Sequence, residues 1–288
     1  LVNLNDYRIN NTISAYPGCD SSRKHITMML SRGCPYHCTF CSSHSIHGRK
    51  MRYYSIERFE ENVVQLKKEY GIETIIFQDD HFMASKKRVY SIIEILKKYD
   101  IHAFFPNSLT MYSLDRPMLE GLRSVGVKLI VMAVESGSAR VLKEVMRKPL
   151  NLKIVARVMA DCRELGIDTD VNVIIGNPGE TKKDIEDSLK FLKTTYGTWF
   201  RIYTAVPLVG SEVYDISMEH GYLKQDIVTG DFKKALIETE DFSSKYIQDK
   251  AYTMNLELNF VYNSDMRLGD YKRALKEFNN TIKVKEDH

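Results

Sequence analysis

Long apolar runs are missing from this chain. The longest, LIVMAV at residues 129–134, falls far short of the roughly 20 residues that a bilayer-spanning helix needs. No membrane partner is therefore expected. The N-terminal stretch LVNLNDYRINN lacks the apolar core of a signal peptide, and a cytoplasmic location is expected. A large charge surplus is also missing: 41 Lys and Arg against 38 Asp and Glu leave a net +3, too little to suggest nucleic acid as a partner. Glycine and proline are sparse, at 15 and 7 of 288 residues, with no low-complexity tract. Cysteine is scarce and odd in number, at five. An odd count with three members clustered is no disulfide framework; in a reducing compartment it points to metal or catalysis.

What is present is an ordered alternation. The chain is 43% hydrophobic over 288 residues, enough for one large core plus an appendage. Strand-like runs stand at 25–30, 73–77, 102–105, 127–134, 171–175 and 200–206. Between them apolar residues recur at helical spacing, as in Ile56, Phe59, Val63, Leu66 and Tyr70, bounded by Ser55 and Gly71. Further helices are expected from Ser85, from near Ser113, over 137–146 and 151–165, and from the capping pair Thr181 and Asp184. Repeated strand–helix units imply a parallel sheet with right-handed crossovers. The expected fold is α/β, a partial (β/α)6 TIM-like barrel with a helical C-terminal extension. The expected divisions are a lead-in or linker at 1–24, a core at 25–215 and a helical extension at 216–288. One stretch, 269–280, reads as a single amphipathic helix, since no second copy follows at a repeat period. The chain begins with Leu1 rather than Met, as a fragment or processed product does.

Three of the cysteines, Cys34, Cys38 and Cys41, lie in the run RGCPYHCTFC with spacing C-x3-C-x2-C. Three thiolates are one short of the four that close a cube-shaped iron–sulfur cluster, leaving one iron for a non-protein ligand. The competing possibility is zinc, with His44 or His47 as fourth ligand. Cys162, in phase with Ile154, Val158 and Leu165, reads as a buried, inert cysteine, and Cys19 as a free thiol. In barrels of this kind functional groups stand at the C-terminal ends of strands. Those ends carry FQDDHF with Asp79 and Asp80, FFPNS with Asn107, ESGS with Glu135 and Ser136, NVIIGNPGET with Asn172, Gly176 and Gly179, and VPLVGSEVYD with Leu208. Alternatives stand beside several of them: capping for Ser136, turn formation for the glycines, core packing for Leu208. His81 reads as a packed or solvated histidine.

The cysteine spacing, the aromatic Phe40 directly before the third cysteine, and the ordered strand ends resemble the radical S-adenosylmethionine (SAM) superfamily. That resemblance implies a 4Fe-4S cluster on Cys34, Cys38 and Cys41, with the amino and carboxylate groups of SAM on the fourth iron. It implies reductive cleavage of SAM to methionine and a 5′-deoxyadenosyl radical that abstracts hydrogen from substrate. Phe40 is implied beside the adenine, Asp79 and Asp80 near the methionine ammonium, and Asn107, Glu135, Ser136, Asn172, Gly176 and Leu208 around the cofactor. The family's usual Gly-Gly-Glu at the second strand end and first glycine at Asn172 are absent. The motif style resembles the subgroup that often carries a cobalamin-binding domain, though no Asp-x-His-x-x-Gly motif is found. Cobalamin is thus expected only if an upstream domain exists. The implied partners are a small-molecule or peptide substrate and an electron donor such as flavodoxin or ferredoxin. A catalytic fragment of a cobalamin-dependent radical methyltransferase and a non-catalytic zinc-binding module are the two alternatives.

Overall fold

The computed structural model describes residues 19–20, 22–224 and 234–263. Six parallel strands carry the fold in two consecutive sets. Strands β1 (His25–Met28), β4 (Thr74–Phe77) and β5 (His102–Phe104) form one sheet, and β6 (Leu129–Glu135), β7 (Asp168–Ile175) and β8 (Trp199–Thr204) the other. Backbone bonds cross the seam between β5 and β6, from Ala103 N to Val125 O at 2.8 Å and from Leu109 N to Val131 O at 3.3 Å. A single apolar core runs through both sets and their helices. All six expected strands are present, in parallel strand–helix units, as an α/β partial barrel requires.

Apart from the short helix Ser43–His47, each described α-helix begins where the chain offers a side-chain acceptor for an orphan N–H. Ser55 caps α2 (Ile56–Gln65), which ends through a π-helical turn at Gly71 in the left-handed conformation. Ser85 caps α3 (Lys86–Lys98), Asn151 caps α5 (Leu152–Glu164), and Thr181 with Asp184 forms a full capping box on α6 (Lys182–Lys193). Helix α4 (Arg116–Ser124) starts later than the sequence suggested. Asp115 accepts from Met118 N and serves as the cap, while Ser113 is buried in the preceding 3-10 turn. The stretch 137–146 is helical over 139–145, passing into a π-helical turn at Val141–Val145, and Ser138 caps it by accepting from Val141 N.

Side-chain alternation sorts the strands into two faces. Ile130, Met132, Val134, Val171, Val173 and Ile175 join the helix-packed core. Leu129, Val131, Ala133, Asn172 and Ile174 turn to the opposite, inner face and stay partly accessible. The barrel wall is therefore sealed outside and open inside, which is what leaves room for a ligand.

Two features escaped the sequence pattern. A short antiparallel hairpin joins β2 (Ser31–Arg32) to β3 (Arg52–Tyr53) and closes the cysteine loop at its base. The outer edge of β8 is covered by α8 (Ser244–Leu256) and its π-helical continuation Glu257–Tyr262. Asn255 pairs with Ile202 through Ile202 N–H (3.0 Å) and C=O (2.9 Å), and Asn259 pairs with Phe200 in the same way (2.9 and 2.8 Å). Two amides one helical turn apart thus imitate a neighbouring strand and satisfy an edge that water would otherwise hydrate. The expected boundary at 215/216 falls inside α7 (Glu212–Glu219). Among the described residues after α7 a bridge pairs Leu223 with Ile237 ahead of α8, and the helix expected at 269–280 lies outside the described residues. No described helix is long and apolar enough to cross a membrane.

Candidate functional site

The cysteine loop leaves β2, forms the short α1 (Ser43–His47), and returns to β3. Its entry depends on Gly33, whose φ is +92° and where an added Cβ would stand 2.5 Å from Lys50 O. The two adjacent acids at the end of β4 hold this entry. Asp79 accepts from Leu30 N at 3.1 Å and from the Ser31 hydroxyl at 2.6 Å. Asp80 accepts from Gly33 N at 3.0 Å and pairs with His47 Nδ1 at 2.7 Å. Asp79 is buried, which pushes its carboxyl up, while the bonds from Ser31 and Leu30 act the other way. Farther along, Thr39 donates its hydroxyl to Val145 O (2.9 Å) and its N–H to Met146 O (3.1 Å), and accepts from Val213 N (3.0 Å). The loop is thus tied to the second, fourth and sixth parallel strand units.

Within this frame the structure gathers the cysteines, Phe40, Glu135 and one residue the sequence reading missed, Lys148. All three thiols are free and half-buried. Burial pushes Cys34 and Cys38 up to about 11, with Lys148 opposing that shift and Glu135 adding to it at Cys38. Such thiols ionise only against a bound cation, which deprotonates them outright. Lys148 Nζ lies 3.0 Å from Glu135 Oε1 and 5.9 Å from the Phe40 ring centre. Glu135 is buried, sits at a β-bulge and has a φ of +64°. A non-glycine residue in that region carries strain of about 1–3 kcal/mol that surrounding contacts must offset, here the ion pair to Lys148.

The other expected positions divide by environment. Asn172 lies on the inner face and its Oδ1 is buried without a protein partner, an acceptor suited to a ligand hydroxyl or N–H. Asn107 is exposed at the rim and donates to Asp79 O at 3.2 Å. Leu208 is half-buried in the loop after β8, which contacts the cysteine loop through Ser45 and Gly210. Ser136, by contrast, is fully buried: its hydroxyl meets the Ser188 hydroxyl at 3.0 Å and accepts from Ser138 N at 3.1 Å. Gly176 faces α8, and an added Cβ would stand 2.8 Å from Ile247 Cγ2. Behind these loops Asp184 accepts from Ser138 (3.0 Å), Arg140 and Thr181 (2.6 Å), joining the loop after β6 to the start of α6. Gly179 is exposed, and its carbonyl accepts from Arg140 at 2.9 Å. His81 is buried, with Nδ1 2.9 Å from the Thr110 hydroxyl, and Cys162 is fully buried, both as read from the sequence.

The donor set suits an iron–sulfur cluster better than zinc. His47, one of the two fourth ligands that zinc would need, is instead held by Asp80 at 2.7 Å. Three free thiols on one braced loop fit a larger cluster with an open iron, and the unpartnered Asn172 oxygen fits a second ligand on the inner face.

Comparison with known proteins agrees. The chain is 27% identical over 241 residues to the cytidylyl-2-hydroxyethylphosphonate methyltransferase of Streptomyces wedmorensis, covering 81% of this chain and 45% of that protein. It is 29% identical over 196 residues to the uncharacterised methyltransferase PH0819 of Pyrococcus horikoshii, covering 68% and 42%. The chain therefore spans less than half the length of these relatives. Among solved structures it shares its fold with the radical SAM methyltransferase TsrM of Kitasatospora setae, determined with cobalamin and a [4Fe-4S] cluster bound, at a TM-score of 0.55 and 16% identity over 71% of this chain and 38% of that one. The model of the radical SAM superfamily matches residues 28–192, more than half of the sequence. The chain belongs to the radical SAM superfamily, whose enzymes use a 4Fe-4S cluster and S-adenosylmethionine.

Proposed function

We propose that the chain is the SAM-cleaving core of a radical methyltransferase, with its cluster on Cys34, Cys38 and Cys41. The observation that supports this reading is the braced cysteine loop, with Lys148 paired to Glu135, facing the Phe40 ring and within electrostatic reach of Cys34 and Cys38. When bound, the cluster and SAM supply the superfamily's one-electron cleavage chemistry. The protein's part is positioning. Phe40 offers an aromatic surface, Glu135 with Lys148 a fixed charge pair, and Asn172 an acceptor on the inner wall. Asn107 and Leu208 contribute the rim. Asp79, Asp80, Ser136 and Gly176 act from behind, by holding the loops that carry those groups. In this reading residues 25–215 are the core, residues 1–24 lead into it, and α8 in the region after it seals the β8 edge.

Methyl transfer is supported by the names of the relatives, and cobalamin by its presence in TsrM; in this reading it is supplied by a separate domain. The reductant is a flavodoxin- or ferredoxin-class electron donor. Anaerobically reconstituted protein is expected to hold about four irons per chain and to release 5′-deoxyadenosine from SAM on reduction. Cys38→Ala is expected to lose the cluster. Full iron content in that variant, or four-iron protein that leaves SAM intact under reduction, would refute the reading.

A further inference from the structure

We propose that Arg201, held by Asp170 and accompanied by Tyr203, forms an oxyanion-binding subsite on the inner wall that takes a phosphate, phosphonate or carboxylate group of the substrate. The inference rests on the functional reading above and names the substrate class for it.

The subsite follows from strand register. Asn172 stands beside Arg201 across β7 and β8, and beside Ala133 across β6 and β7. Phe200 and Ile202 on the other face of β8 enter the apolar core, so Arg201 and Tyr203 share the inner face with Asn172. Asp170 lies two residues before Asn172 on that face. Its carboxylate is buried, and both oxygens sit 2.8 Å from Arg201 Nε. One carboxylate therefore fixes the guanidinium through its inner nitrogen and leaves the terminal pair outward. Among the described residues Asp170 is the one carboxylate paired with Arg201. The Arg201 side chain is 39% exposed against 12% for Asp170, so the anchor is hidden and the cation is accessible. Tyr203 is also exposed and stands two residues along the same face of β8. A planar fork with free terminal N–H groups matches an oxyanion by two parallel bonds.

Stability does not account for the pair. Burial pushes the Asp170 carboxyl up even with Arg201 beside it, so the carboxylate's desolvation is not fully offset. Apolar residues of similar volume at such a place are often neutral or stabilising, and the neighbouring inner positions Val131, Ala133 and Ile174 are apolar. Ala133 keeps the wall low opposite Asn172. The arrangement is an accessible cation anchored by a buried carboxylate, with Asn172 beside it and a small residue beyond.

The test uses anaerobically reconstituted protein at fixed ionic strength, titrated separately with inorganic phosphate, methylphosphonate and acetate, with iron measured in the same samples. At least one probe is expected to bind at one site per chain, and the preferred probe tells phosphoryl from carboxylate substrates. Arg201→Gln is expected to weaken that probe roughly ten- to hundredfold, the range for hydrogen bonds to a charged group, with iron per chain at the wild-type level. Tyr203→Phe, a change at an exposed position, is expected to weaken it about threefold to tenfold and decides the matter if Arg201→Gln misfolds. Wild-type affinity in both variants, or no binding of any probe to four-iron protein, overturns the subsite and leaves the cluster reading standing. Probe binding that depends on Arg201 in protein unable to hold iron supports the subsite and overturns the cluster reading instead.

Discussion

Lys148→Met tests the charge pair beside the cysteines. Lys148 and Glu135 are 3.0 Å apart, with side chains 19% and 8% exposed. Removing the lysine strands a carboxylate whose backbone, at φ +64°, gives it little freedom to swing into water. Breaking a fully buried pair costs about 3–5 kcal/mol; partial exposure of Lys148 admits water, so about 2–3 kcal/mol is expected here. Glu135→Gln, which keeps an acceptor for Lys148, should cost about 1–2 kcal/mol. The double variant removes both charges and should cost less than the sum of the singles, with a coupling of about 1–3 kcal/mol. Urea unfolding of the cluster-free chain, followed by circular dichroism, reads these costs as midpoint shifts at constant slope. A Lys148→Met midpoint within about 0.5 kcal/mol of wild type, or strictly additive single variants, would refute the assignment of Lys148 as the partner that offsets the strain at Glu135.

Asp80→Ala removes the acceptor for Gly33 N–H and His47. It should cost about 1–3 kcal/mol and lower the iron retained after reconstitution and desalting; unchanged retention would show that the cysteine loop needs no such brace. Asn259→Ala leaves the N–H and C=O of buried Phe200 without their amide partner and should cost about 2–4 kcal/mol, with faster amide exchange at Phe200; protection equal to wild type would contradict the edge-cover reading. Burial pushes the Glu180 carboxyl from an ordinary 4.5 up to about 7, so its contribution is fully present below the lower value and is lost as pH rises through about 7. Burial works against Asp184 as well, but bonds from Arg140, Thr181 and Ser138 hold its carboxyl well below the usual range. Its contribution is present above about pH 4 and disappears as pH falls through that depressed value. Stability should therefore peak between these limits, with Glu180→Gln flattening the neutral flank and Asp184→Asn the acid flank in pH-dependent thermal unfolding.

The strands and most helix starts were legible because they depend on local chemistry. Thr181 with Asp184, Ser55 and Ser85 supply acceptors at fixed offsets, and apolar runs such as 129–134 are long enough to mark strands, though that run's reading as a strand covered on both faces gave way to partly accessible Leu129, Val131 and Ala133. The short helix expected near Ser113 begins at Arg116, where Asp115 supplies the cap. The cysteine loop was legible for a related reason: its chemistry lies in one short stretch. Lys148 was not legible. Nothing in RKPL distinguishes a lysine that reaches Glu135 thirteen residues back from one that meets solvent. The same holds for Asn255 and Asn259, polar residues at helical spacing that bind a strand more than fifty residues away.

The two acids of FQDDHF show how a correct location can carry an unexpected task. Position at a barrel strand end marked them as functional, and acids there suit an ammonium. Their carboxylates instead receive the N–H groups of Leu30 and Gly33, on either side of the β2 strand that starts the cysteine loop. A loop that must present three thiols to one cluster gains from this arrangement, because each bond from a carboxylate fixes backbone rather than a mobile side chain. Glu135 takes the contrary form: its backbone is strained and its side chain is paired with a lysine on the next loop. Strand-end acids in this fold thus separate by the direction of their bonds. Those turned toward backbone N–H groups build the loop, while the one turned toward Lys148 lies within electrostatic reach of Cys38, its lysine partner facing the Phe40 ring, and that carboxylate is the stronger candidate to meet a cofactor.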